Sequence, residues 1–262
     1  MKIKIFLTLI LIFSMLGCQK KESITKEQNI KIKNNQRKKL QDAAVSKNKL
    51  IVIDAGHQQK GNSNLEPIAP HSKKKKAKVA NGTFGKWSQL KEYELTLQIA
   101  LKLEKELKLR GYKVLMIRTT NDIDISNSER AKIANQSKAD AFIRLHANGS
   151  TNSQITGAMT ICQTPSNPNN GQYYKQSRYL SKTILNNYVK ETGAKKERIW
   201  ETDTMSGINW CQVPVTILEM GYMTNKEEDL NMASEEYQKR MVRGIANGID
   251  KYFEKEEFYE KK

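Results

Sequence analysis

The sequence predicts an α/β domain, a single open, mostly parallel twisted sheet with helices on both faces. Three observations carry this. Apolar runs of strand length alternate with longer segments of helical period. The first run, Leu50-Ile51-Val52-Ile53, is continuous rather than alternating, the pattern of a strand buried on both faces. The 262 residues suffice for one such domain with terminal segments and would be cramped for two.

After that first strand and a long loop, residues 92–110 place Leu95, Ile99, Leu103 and Leu107 four apart, which stacks them on one helix face, and Gly111 stops the helix. A strand over 113–117, a helix over 128–137 and a strand over 141–145 follow. A strand over 157–162, a helix over 174–191 and a strand over 213–218 continue the alternation. A last helix over 234–253 carries Tyr237, Met241, Ile245 and Ile249 on one face. Strands alternating with helices build an open, largely parallel sheet covered on both sides. No internal repeat or second module is visible.

The N-terminus begins Met1-Lys2-Ile3-Lys4 and continues as an apolar run over 5–16, too short for a membrane span and suited to an export signal. It ends Met15-Leu16-Gly17-Cys18, which resembles the lipobox of bacterial lipoproteins, with Met15 where Leu is usual. An ordinary signal peptide with a chance Cys is the alternative, and both export the protein. Residues 1–18 are thus assigned to the signal and 19–49, rich in Lys, Asn and Gln, to a basic flexible tether. Residues 50–253 form the structured domain and 254–262 a charged tail. A formal net charge of +17 favours anionic partners, among which charge alone does not choose.

The span 58–90 exceeds ordinary strand-to-helix loops and contains Lys73-Lys74-Lys75-Lys76. It is either a solvated insertion or a cleft wall whose lysines face anionic polymer. Cys162 and Cys211 could pair after export or remain two buried thiols.

Three histidines occur: His57, His71 and His146. His57 directly follows the first strand and His146 another, and ligands of open α/β sheets bind beyond the carboxyl ends of strands. Both imidazoles therefore face one crevice, where zinc catalysis would add a carboxylate ligand and a carboxylate base. Glu219 closes the apolar run Val215-Thr216-Ile217-Leu218 at the same edge, where desolvation raises a carboxyl pKa toward base values. A salt bridge to surface lysines is its bland alternative.

The ordered set Ile53-Asp54-Ala55-Gly56-His57, Glu92, Arg118, Glu129-Arg130-Ala131, Ala139-Asp140, His146-Ala147-Asn148 and Glu219-Met220-Gly221-Tyr222-Met223 with Asn225 resembles the zinc-dependent N-acetylmuramoyl-L-alanine amidases of bacterial cell walls. The resemblance covers 51–252. Two positions depart from it: Ala55 stands where Pro is usual, and Gln58-Gln59 replaces a Gly pair. The resemblance implies one Zn2+ held by His57, Glu92 and His146, with Glu94 a competitor for Glu92, and Glu219 as the catalytic carboxylate that takes a proton from water and returns it to the leaving L-alanine amine. It also implies peptidoglycan as substrate. Anionic wall polymers and, through lipidated Cys18, the membrane are further expected partners, and nucleic acid is not. The alternative from another class is a lipid-anchored binding protein that keeps the fold without cutting.

Overall fold

The computed structural model describes residues 47–260; the expected signal with Cys18, most of the tether and the last two residues lie outside the described residues. Strands β1 (Leu50–Ala55), β4 (Lys113–Met116), β5 (Ala141–Asn148), β6 (Ala158–Cys162), β7 (Lys196–Glu201) and β8 (Val215–Tyr222) form one sheet in the order β4-β1-β5-β8-β6-β7. The pairs β4–β1, β1–β5, β5–β8 and β6–β7 are parallel, and only β6–β8 is antiparallel.

The helices are α1 (Glu92–Leu109), α2 (Asn127–Gln136), α3 (Tyr174–Thr192), α4 (Ser206–Asn209), α5 (Lys226–Ala233) and α6 (Glu235–Glu260). The continuous apolar run of β1 follows from its two buried faces. Ile51 and Ile53 pack with Leu95 and Leu103 of α1, Ile184 of α3 and Ile245 of α6. Val52 points the other way, into a cluster with Ala131 of α2, Phe142, Ile208 of α4 and Ile217. Each side chain thus alternates between two apolar layers, so no polar position is needed.

The chain leaves β1 for β4 on one side and returns to β5 on the other. The carboxyl ends of β1 and β5 therefore flank the topological switch point, the place where an open α/β sheet leaves a crevice.

The structure adds elements that the sequence pattern does not announce. Within the long span after β1, β2 (Asn62–Pro67) and β3 (Lys75–Val79) form an antiparallel hairpin. Their polar composition hides them; the hairpin is anchored by buried Val79 and by buried Glu66, which accepts from Ser128 N and Oγ. Strand β7, Lys-Glu-Arg-Ile-Trp-Glu, is an edge strand whose charges mask its alternation. The last helix runs past Phe253 to Glu260, through the stretch expected as a tail. Cys162 and Cys211 are both free and buried, and burial pushes the thiols up to about 11 and about 12.

Helices α3 and α6 pack closely because α6 carries Gly244 and Gly248 one turn apart on the contact face. A β-carbon at Gly244 would lie 2.8 Å from Tyr188 Cα, and one at Gly248 2.5 Å from Ile184 Cα. Alanine is the better helix former by about 1 kcal/mol, yet overpacking costs about 1–3 kcal/mol. Gly248→Ala is accordingly expected to lower the urea midpoint without changing the slope of the transition. A stabilised variant would show that the helices separate freely.

Candidate metal centre

His57, Glu92 and His146 come from three elements and meet at the switch point. β1 is followed by Gly56, which lies against the His146 ring; a β-carbon there would stand 2.5 Å from His146 Nε2. His57 then adopts φ 60°, a left-handed conformation unusual for a residue with a side chain. Arg130 holds this turn by donating to Ala55 O (3.0 Å) and His57 O (3.1 Å). The turn directs His57 Nδ1 to Ala80 O at 2.8 Å. Because a carbonyl only accepts, Nδ1 carries the proton and Nε2 presents its lone pair to the cluster.

Glu92 is the first residue of α1. Its neighbour Glu94 is committed elsewhere, accepting from Lys91 N (2.9 Å) in the capping box of that helix. The Glu92 carboxylate is buried and oriented by two backbone amides, Thr83 N to Oε2 (2.9 Å) and Ala147 N to Oε1 (3.1 Å). His146, on β5, presents Nδ1. The three donor atoms form a triangle: His57 Nε2 to Glu92 Oε1 is 3.0 Å, His146 Nδ1 to Glu92 Oε1 is 3.1 Å, and His146 Nδ1 to His57 Nε2 is 3.2 Å. Ligands about 2.0–2.1 Å from a tetrahedral zinc stand about 3.3 Å apart, so the triangle has the size and the N/N/O chemistry of a half-open site. Among the described residues this is the group of His, Cys, Asp and Glu that could hold a metal ion. His71 sits exposed outside that group, at the tip of the β2–β3 hairpin.

Glu219 faces the same cleft, in register with His146 across β5 and β8. The cleft, about 630 Å³, is also lined by Asn81, Thr83 and Asn148. Burial, and then the nearby Glu92 charge, push the Glu219 carboxyl up to about 8, and among the described residues it has no salt-bridge partner. Burial opposes the charge of Glu92 too, but the adjoining His146 and His57 rings outweigh it and hold that carboxyl below the usual range. The two carboxylates are thus driven apart in acidity by their surroundings.

Sequence reasoning did not assign the frame beneath the site. Asp54, fully buried at the end of β1, accepts from Arg130 Nη1 (2.6 Å) and Arg144 Nε (2.9 Å). Arg118 donates to Ala55 O, Gly56 O and Tyr93 O, tying β1 to the start of α1. Gln58 is buried as well, bonded to Arg130, Ile125 N and Asp124, so the departure at that position is a structural contact. An arginine inside the apolar run of β5 was the available signal: it requires a buried partner.

Comparison with known proteins places this geometry in context. The model of a family described as N-acetylmuramoyl-L-alanine amidase matches residues 51–251. A putative N-acetylmuramoyl-L-alanine amidase of Buchnera aphidicola subsp. Baizongia pistaciae is 29% identical over 230 residues, covering 78% of this chain and 96% of that protein. Among solved structures, the catalytic domain of the amidase CwlV from Bacillus (Paenibacillus) polymyxa var. colistinus is similar at TM-score 0.63 and 26% identity, covering 79% of this chain and 98% of that one. An amidase of Mycobacterium smegmatis shares the fold at TM-score 0.72 and 21% identity, over 78% of this chain and 96% of that one.

The Asp54 junction gives a stability prediction. Burial raises its pKa, but Arg130 and Arg144 overcome this and lower it from 3.8 to about 2. A depressed folded-state pKa stabilises above the unfolded value, and that contribution, about 2 kcal/mol, is lost as pH falls from about 4 toward 2. Asp54→Asn leaves two guanidinium groups without their counter-charge and is expected to cost about 3–5 kcal/mol at pH 7. Urea titrations at pH 7 and pH 3 should show the deficit shrinking at the lower pH; an unchanged deficit would remove the ionic contribution.

Proposed function

The chain belongs to the N-acetylmuramoyl-L-alanine amidase family, whose model spans residues 51–251, and from that membership we propose that it cleaves the amide between N-acetylmuramic acid and L-alanine in peptidoglycan, with zinc held by His57, Glu92 and His146 and with Glu219 as the proton-transferring carboxylate. The observation that carries this is the donor triangle with 3.0–3.2 Å edges beside a raised-pKa carboxyl that has no salt-bridge partner among the described residues.

A zinc ion at that triangle would supply Lewis-acid polarisation of a carbonyl and acidify a water. The chain's own residues do the rest. Ala80 O fixes the tautomer of His57, and the amides of Thr83 and Ala147 aim Glu92. Glu219 accepts a proton from the attacking water and delivers it to the alanine nitrogen as the C–N bond breaks. The lactyl carbonyl carbon gains the hydroxyl, and the stem peptide leaves with a free amino terminus.

Peptidoglycan lies outside the cytoplasmic membrane, so this substrate requires export. No helix among the described residues is long and apolar enough to cross a membrane. Lipidation of Cys18 would hold the enzyme at the membrane, with residues 19–49 as a basic tether toward the wall and its anionic polymers. Cys18→Ala of the full chain is expected to move the protein from the detergent to the aqueous phase; unchanged partitioning would leave an ordinary signal peptide.

The catalytic assignment is tested by zinc content and peptide release on the same preparations. Glu219→Gln should keep stoichiometric zinc and lose about 10²–10⁴-fold in rate. His57→Ala and His146→Ala should lose the metal, while His71→Ala and Glu94→Gln keep it. Full zinc with near-wild-type rate in Glu219→Gln would remove Glu219 from the mechanism, and zinc loss in His71→Ala alone would overturn the ligand set.

A further inference from the structure

Beside the metal centre the cleft continues into a second pocket of about 340 Å³, bounded by β3 of the hairpin, the start of α2, and α4. This lies within the range of about 300–1,000 Å³ typical of small-ligand sites. His57, His146 and Glu219 line both spaces, so a ligand with its scissile bond at the metal centre would extend into this pocket.

The pocket wall is cationic and built. Arg144 is 3% exposed. Its Nε is bound to Asp54 and its Nη2 to Asn127 Oδ1 (2.8 Å), while Nη1 meets no acceptor among the described residues. Nη1 stands against Gly207, where any β-carbon would collide with the guanidinium; the glycine is what leaves that edge room. Asn127 in turn donates to Lys78 O (2.8 Å), fastening the hairpin over the pocket. From β3, Lys76 lines the same space and donates to Thr204 O (2.9 Å), bringing its ammonium to the segment that leads into α4. Asp54 is shared by Arg130 and Arg144, so that trio retains one uncompensated positive charge. A buried excess charge calls for an anionic partner, and a guanidinium edge with a nearby ammonium suits a carboxylate.

We infer that this pocket is a specificity subsite that binds a free carboxylate of the stem peptide, through Arg144 Nη1 and Lys76. The inference rests on the amidase reading. The second stem residue, when joined through its γ-carboxyl, bears such a carboxylate, and an acidic third residue bears another. Amidation of either group would remove the charge and leave the guanidinium edge with a weaker partner.

The test compares muramyl peptides that differ only in these groups, with the zinc-loaded full chain. Against a muramyl tripeptide whose D-glutamate is joined through its γ-carboxyl to L-alaninamide, its α-carboxamide twin should be cleaved with kcat/KM about tenfold lower, the effect of losing a charge-assisted bond. A muramyl tripeptide with an amidated second residue and an acidic third residue identifies the source: recovered preference assigns the subsite to the third residue, no recovery to the second. Lys76→Gln should shrink the preference and Lys76→Glu abolish it. Arg144→Gln should do likewise, but Arg144 also braces Asp54, so the exposed Lys76 variants carry the comparison if that one fails to fold. Equal cleavage of all the peptides by the wild type, or a preference untouched by Lys76→Glu, overturns the inference while leaving the amidase reading intact. If no peptide is cleaved, that reading falls, and calorimetric binding of the same carboxylate and carboxamide tripeptides still decides: selective binding supports the subsite and equal binding sinks it.

Discussion

Asp54 lies fully buried between two guanidinium groups, and the turn that carries His57 is tied to that junction. Arg130 comes from α2 and Arg144 from β5, so one carboxylate at the end of β1 joins three elements. The same Arg130 head reaches past Asp54 to the carbonyls of Ala55 and His57. It thereby holds the left-handed turn that a histidine would not adopt unaided. Replacing such a network by apolar groups could preserve stability, but it would release the turn that aims His57.

The donor triangle has a cost that the frame absorbs. Two ring nitrogens and a carboxylate oxygen sit 3.0–3.2 Å apart, and without a cation protons must bridge lone pairs that point at one another. Backbone groups on rigid elements keep them there: Ala80 O on His57, and Thr83 N and Ala147 N on Glu92. The segment that supplies Thr83 is itself pinned by buried Asp229, which accepts from Trp87 N, Ser88 N and Ser88 Oγ. Order around the centre is thus built by several local contacts, each legible in hydrogen-bond terms.

Much of this could be read from residues alone, and the failures have physical reasons. The β-branched run of β1 and the four-residue spacing in α1 report burial directly, so those elements and the strand-end positions of His57 and His146 were visible. Between Glu92 and Glu94 the choice depends on which carboxylate the helix start consumes. The capping box takes Glu94, a contact that spacing suggests only weakly. The hairpin was hidden because its strands bury few side chains, and its stability comes from Glu66 on Ser128 and Asn127 on Lys78 O, partners distant in sequence. The lysine run was read two ways: Lys73, Lys74, Lys75 and Lys76 are all exposed to solvent, and Lys76 also lines the pocket beside the centre. Arg144 carried the sharpest unread signal, a charge within an apolar strand whose partner only the sheet register reveals.

The bond that is cut is the central claim, and the products of purified sacculi report it most directly. After digestion by the zinc-loaded full chain, new amino termini should be L-alanine, released in step with turbidity loss, and no new reducing sugar ends should appear. New reducing ends, or amino termini at any other stem residue, would contradict cleavage of the muramoyl amide by this centre.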